Sequence, residues 1–109
     1  MKKKITATRG STNVFADLGY ANSEEMLAKA QLVSRISDLI KQRRLTQSDA
    51  ATLLGIDQPN VSRLLRGQLG GFSYERLLKF LNALGCDIEI VVKRSGRVRR
   101  HTQITVKAA

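Results

Sequence analysis

The chain has 109 residues, enough for one compact domain with a single hydrophobic core and mobile ends. Its 19 lysines and arginines outweigh 9 aspartates and glutamates, and the resulting charge of +10 fits either a polyanionic partner or a plain solubility surface. One cysteine and one histidine exclude a disulfide framework and a structural metal site. Because no apolar run suits a bilayer span or a signal peptide, we expect a cytoplasmic protein without cofactors or membrane contact.

The first predicted helix follows an N-terminal arm, residues 1–22, which shows no sustained periodicity. Ser23 is a suitable N-cap, and Glu24 and Glu25 place acidic groups in the first turn. The helix is predicted to end near Arg44. Its apolar residues recur at three- and four-residue steps: Leu32, Val33, Ile36, Leu39 and Ile40.

Three further helices begin with the same local pattern, an apolar residue followed by a polar N-cap and an apolar residue one turn later. The N-caps are Thr46, Asp57 and Ser73. Asp49 completes a capping box with Thr46, and Pro59 lies in the first turn of the third helix, where its missing N–H costs nothing. Glycines suited to a left-handed conformation follow these helices: Gly55, Gly67 and Gly85.

Beyond the fourth helix the apolar period changes from 3.6 to 2, with Ile88, Ile90 and Val92 on one face. This alternation predicts a β-strand over residues 87–93. A turn at Ser95 and Gly96 would make a hairpin with a second strand inside residues 94–109, although the basic residues there equally fit a tail. The strand either covers its own helices or pairs with a second protomer.

The second and third helices fit a helix-turn-helix, which requires a small residue at the helix contact and a glycine-like turn. Ala51 supplies the contact and Gly55 the turn. The apolar residues expected in the shared core are Ala50, Leu54, Ile56, Val61 and Leu64. With these directed inward, the outward face of the third helix must consist of Gln58, Pro59, Ser62, Arg63 and Arg66.

These outward side chains suit the major groove of DNA. Arg63 is predicted to pair with guanine O6 and N7, Gln58 with adenine or a phosphate, and Ser62 with either base type. A solvated surface residue is the alternative for each of them. Residues 58–74 contain no acidic side chain, which favours a nucleic-acid face.

Phosphate contacts are predicted around the third helix, partly from the free N–H groups at the starts of the second and fourth helices. The connector at residues 68–71 is predicted to be flexible and to lie near the DNA backbone. The candidate phosphate-binding residues are Gln47, Arg43, Arg44, Asn60, Arg66, Ser73 and Tyr74. One recognition helix reads too few base pairs for specificity, so we expect a homodimer on a palindromic operator.

Several short motifs resemble those of the XRE family, the Cro/C1-type helix-turn-helix family to which phage repressors belong. They include Leu45-Thr46-Gln47, Leu54-Gly55-Ile56, Gln58-Pro59, Val61-Ser62 and Gly67. The resemblance implies a mostly α, lambda-repressor-like domain over residues 23–93, in which four to five helices are followed by the strand. It also implies base contacts at the positions that Gln58, Pro59, Ser62 and Arg63 hold here.

Flanking motifs are similar to the branch that contains HigA-type antitoxins. They are Asn13-Val14-Phe15-Ala16-Asp17-Leu18-Gly19, Phe72-Ser73, Glu75-Arg76-Leu77 and Leu84-Gly85. This resemblance implies a repressor of its own operon that also neutralises a RelE/HigB-like mRNA-cleaving toxin. A stand-alone, phage-like regulator without a toxin partner is the alternative.

Other classes of function fit the sequence poorly. His101 lies in a basic tail, Cys86 has no histidine nearby in sequence, and most acidic residues sit at helix caps, so we do not expect an enzyme such as a nuclease. Five aromatic residues without a stacking motif also argue against RNA binding.

Overall fold

The computed structural model describes residues 23–94 and 104–108, and within them it contains four α-helices. These are α1 (Ser23–Gln42), α2 (Gln47–Leu54), α3 (Gln58–Leu65) and α4 (Tyr74–Ala83). The prediction of a mostly helical domain is confirmed. The predicted arm at residues 1–22 lies outside the described residues.

The three short helices begin at the N-caps predicted from the sequence. Thr46 Oγ1 accepts the N–H of Asp49 at 3.0 Å while Asp49 Oδ2 accepts the N–H of Thr46 at 3.3 Å, which completes the capping box. Asp57 Oδ1 accepts the N–H of Asn60 at 2.9 Å, and Ser73 Oγ accepts the N–H of Arg76 at 3.2 Å. Each cap satisfies a donor that the first turn leaves unpaired, which is why local sequence is enough to set these boundaries.

The helices enclose one apolar core. Ile36 of α1, Leu64 of α3 and Leu77 of α4 are each fully buried and belong to the same cluster. The inward residues predicted for the helix-turn-helix are buried, except for Ile56, which is only partly buried against the cluster. Among the described residues no polar or charged residue is buried, so packing of apolar surface holds the helices together.

The connector between α3 and α4 differs from its prediction as a flexible segment. Leu69 and Phe72 are 4% and 2% exposed and belong to the core cluster. The N–H of Phe72 also donates to the Leu69 carbonyl at 3.1 Å. Composition suggested flexibility because of the glycines, but two apolar anchors fix the ends of this segment.

The predicted strand at residues 87–93 is not supported. Residues 86–94 have no regular secondary structure, and no ladder hydrogen bond pairs them with another described segment. Alternating apolar residues indicate which face a strand would bury but do not supply the partner that a strand requires. Ser95 and Gly96, the predicted turn, lie outside the described residues. Residues 104–108 are also without regular structure, and Val106 packs on the core.

Candidate nucleic-acid interface

The turn between α2 and α3 fixes the angle between the two helices. Gly55 adopts a left-handed conformation (φ +74°), and its N–H donates to the Ala51 carbonyl at 2.9 Å. The N–H of Ile56 donates to the same carbonyl at 3.1 Å. A side chain at Gly55 would be strained by the positive φ even though no atom obstructs it. Ala51 is 8% exposed, as a small residue at a close helix contact should be.

Helix α3 has one buried face and one outward face. Val61 and Leu64 are completely buried, while Gln58 and Pro59 are exposed at its N-terminal end. Ser62 is half-buried on the same outward side. The structure thus brings three of the four predicted base-contacting residues to the surface of a single short helix.

The C-terminal end of this outward face carries a hydrogen-bonded pair. Arg66 Nη1 donates to Ser62 Oγ at 2.9 Å, and Arg66 itself is exposed. The Ser62 hydroxyl keeps its own proton free to donate to another acceptor. The pair therefore presents a cation and a hydroxyl donor side by side.

Arg63, the fourth predicted base reader, is held against the protein. Its Nη1 donates to Asn60 Oδ1 at 2.9 Å, and its Nη2 donates to the Gly70 carbonyl at 2.8 Å. The guanidinium also lies 5.6 Å from the centre of the Phe72 ring, within cation–π range. Two of its five N–H donors are engaged inside the chain, and the side chain is half-buried.

The predicted phosphate-binding residues fall into two groups. Arg43, Arg44 and Gln47 are exposed around the end of α1 and the start of α2. Ser73 caps α4, whereas the Tyr74 hydroxyl donates to the Glu25 carbonyl at 3.2 Å and the Tyr74 ring lies beneath the Lys29 ammonium at 5.5 Å. The Tyr74 side chain therefore ties α4 to α1, and its backbone N–H is the part at the helix start.

Arg76 is a further basic residue of this region that sequence reasoning missed. Its Nη1 donates to the Gly71 carbonyl at 3.1 Å, and its guanidinium stacks over Phe72 and Phe80 at 5.1 and 5.7 Å. The sequence gives no signal for this role, because Arg76 otherwise occupies an ordinary first-turn position of α4.

The described residues offer little to other kinds of site. They contain no group of three His, Cys, Asp or Glu side chains placed to hold a metal ion. Over the same residues, no helix combines the length and the hydropathy that crossing a membrane requires.

A braced pair of short helices, the second with a polar and basic outward face, defines a helix-turn-helix DNA-binding domain. A family model described as a helix-turn-helix domain matches residues 14–93. The chain is also similar to a solved structure that carries the provisional name of an XRE family transcriptional regulator. The two are 44% identical with a TM-score of 0.75, and the match covers 81% of this chain and 99% of the other. None of the curated proteins matches the chain.

The chain belongs to the XRE family of helix-turn-helix transcriptional regulators. This is a family of DNA-binding regulators and not a family of enzymes.

Proposed function

We propose that this protein is a sequence-specific repressor that inserts α3 into the major groove of its operator. The observation that carries the proposal is the division of α3 into a face that the core buries and an outward face that is exposed at Gln58 and Pro59. Gln58, Pro59 and Ser62 lie on the outward face and suit contact with base edges. No acidic side chain occurs between residues 58 and 74 to repel the duplex.

Phosphate contacts would surround α3 and fix its position in the groove. Backbone N–H groups at Gln47, Ser73 and Tyr74 lie at the starts of α2 and α4, where the helix dipole favours an anion. The cations proposed to add to them are Arg43, Arg44 and Arg66, all of which are exposed. Asn60 is also a proposed contact, although its Oδ1 accepts from Arg63 and its N–H donates to Asp57.

The functional unit we propose is a homodimer on a palindromic site in the cytoplasm. Ile90, Val91 and Val92 are 73%, 63% and 90% exposed. Such exposure is unusual for three consecutive apolar side chains and marks an interaction surface. These residues follow α4 and line an open groove together with Leu78 and Leu81. A second copy would cover this surface and supply the pairing partner that residues 87–93 do not find among the described residues.

The dimer is tested by sedimentation equilibrium of the wild type and an Ile90→Lys variant. We expect a dimer for the wild type and a monomer for Ile90→Lys, because a charge on this surface would oppose its burial. Ala83→Lys adds the same charge at an exposed position near the end of α4 and should remain dimeric. A wild type that is monomeric at tens of micromolar would refute the proposed assembly.

The DNA-binding proposal is tested by affinity selection from a duplex library with a randomised core, followed by sequencing of the bound fraction. We expect one palindromic motif to be enriched, and affinity for the best duplex to fall steeply with added salt because bound cations are released from the phosphates. Enrichment of no motif would refute sequence-specific binding.

We also propose that the repressor is the antitoxin of a type II module and neutralises a RelE/HigB-like toxin. The support is the resemblance of its flanking motifs to HigA-type antitoxins. Co-expression of the neighbouring gene with this one should rescue growth and yield a complex that co-purifies. If the neighbouring product is neither toxic nor bound, the stand-alone, phage-like regulator is the better reading, and the repressor proposal is unaffected.

A further inference from the structure

The loop that follows α3, residues 68–71, is clamped by two arginines, one that precedes it in the sequence and one that follows it. Arg63 of α3 donates to the Gly70 carbonyl at 2.8 Å, and Arg76 of α4 donates to the Gly71 carbonyl at 3.1 Å. Consecutive carbonyl groups of one loop are therefore both held by guanidinium groups. Each is a charge-assisted hydrogen bond, which is stronger than a neutral one.

Phe72 forms the base of this clamp. Its ring is 2% exposed, and the Arg63 and Arg76 guanidinium groups lie 5.6 and 5.1 Å from its centre. Stacking on a buried ring limits the positions that either guanidinium can adopt. The loop is thereby fixed to the core at Gly70 and Gly71, which have no side chains that could anchor it themselves.

The clamp determines where one backbone donor points. The Gly70 carbonyl and the Gly71 N–H belong to the same peptide group, which is trans, so they point in opposite directions. While Arg63 holds the carbonyl, the Gly71 N–H must point away from the guanidinium. No acceptor among the described residues receives this N–H, and Gly71 is exposed.

We infer that Arg63 is a positioning residue for DNA binding and not a reader of a base. It holds the loop after the recognition helix so that the Gly71 N–H donates to a phosphate of the duplex. Asn60 assists by accepting the second guanidinium hydrogen bond at 2.9 Å. The inference rests on the proposed function, and it replaces the expected guanine contact with a contact that carries no sequence information.

The discriminating experiment repeats the library selection with Arg63→Ala. The motif should be the same as that of the wild type, while affinity for the wild type's best duplex and for an unrelated duplex of equal length falls alike, by about tenfold, as loss of a phosphate hydrogen bond would produce. Lys79→Ala removes one positive charge from an exposed position of α4 without touching the loop, and it serves as the control for loss of charge alone.

Arg76 provides a second test, because it is on α4 and holds the adjacent carbonyl. Arg76→Ala should weaken binding in the same sequence-independent way, and the double variant should lose less than the product of the two single losses. In the wild type, addition of the selected duplex should shift the Gly71 amide proton in an NMR spectrum. Arg63→Ala should abolish that shift.

Three results would overturn the inference. They are loss of one base position from the selected motif of Arg63→Ala, unchanged affinity of that variant, or independent effects of Arg63 and Arg76. Thermal unfolding of each variant separates these outcomes from misfolding, and Arg63→Lys provides a milder variant if the alanine does not fold. A wild type that enriches no motif would instead count against the proposed function.

Discussion

Replacement of Leu64 by alanine should destabilise the domain more than any change on the outward face of α3. Leu64 is 0% exposed and contributes to the core that α3 shares with the other helices. Leucine-to-alanine changes at buried sites cost about 3–5 kcal/mol, partly from lost transfer free energy and partly from the cavity left behind. A domain of this size has a free energy of unfolding of only about 5–10 kcal/mol, so roughly half of it would be lost.

Urea unfolding followed by helical circular dichroism measures this loss. For a slope near 1.5 kcal/mol per molar, the midpoint should fall by about 2–3 M. Leu53→Ala is the matched control, since Leu53 lies on α2 and is 36% exposed, and it should cost about 1 kcal/mol or less. Equal losses for the two variants would show that α3 is not held to the core through Leu64.

Three other changes test the caps and the contact between α1 and α4. Thr46→Ala should lower the free energy of unfolding by about 1 kcal/mol, whereas Thr46→Ser should retain the cap; thermal melts of the two decide. Asp57→Asn should keep the cap of α3 while removing a negative charge beside the proposed DNA-binding face, so affinity for a selected duplex should rise a few-fold at low salt. Tyr74→Phe removes the hydroxyl donor to the Glu25 carbonyl and should cost about 1 kcal/mol in chemical denaturation; no change would show that this bond is dispensable.

The helices could be predicted because residues close in sequence determine where each helix begins. Asp57 and Ser73 each accept a hydrogen bond from an N–H three residues later, which involves no distant part of the chain. The faces of α3 followed from its apolar spacing, and Val61 and Leu64 are buried as expected. The HigA-like branch, the dimer and the individual DNA contacts remain predictions.

The environment of Arg63 could not be predicted in the same way. Its spacing placed it on the outward face, but its partner is the carbonyl of Gly70, a group that every residue type possesses. Residues 87–93 present the converse problem: their apolar residues alternate as in a strand, but no other described segment pairs with them, and a strand requires such a neighbour. In both cases the missing information is the identity of the contact partner, which the residue's own type and spacing do not give.

The division of labour within α3 has a consequence for altering its target. Gln58 and Pro59 support neither the core nor any side-chain hydrogen bond in the described residues, so they are free to vary when a new operator is sought. Arg63 of α3 holds the loop and Asp57 caps the start of α3, and a redesign should leave both in place. New specificity would then be obtained by changing the base contacts while the core, the cap and the loop stay the same.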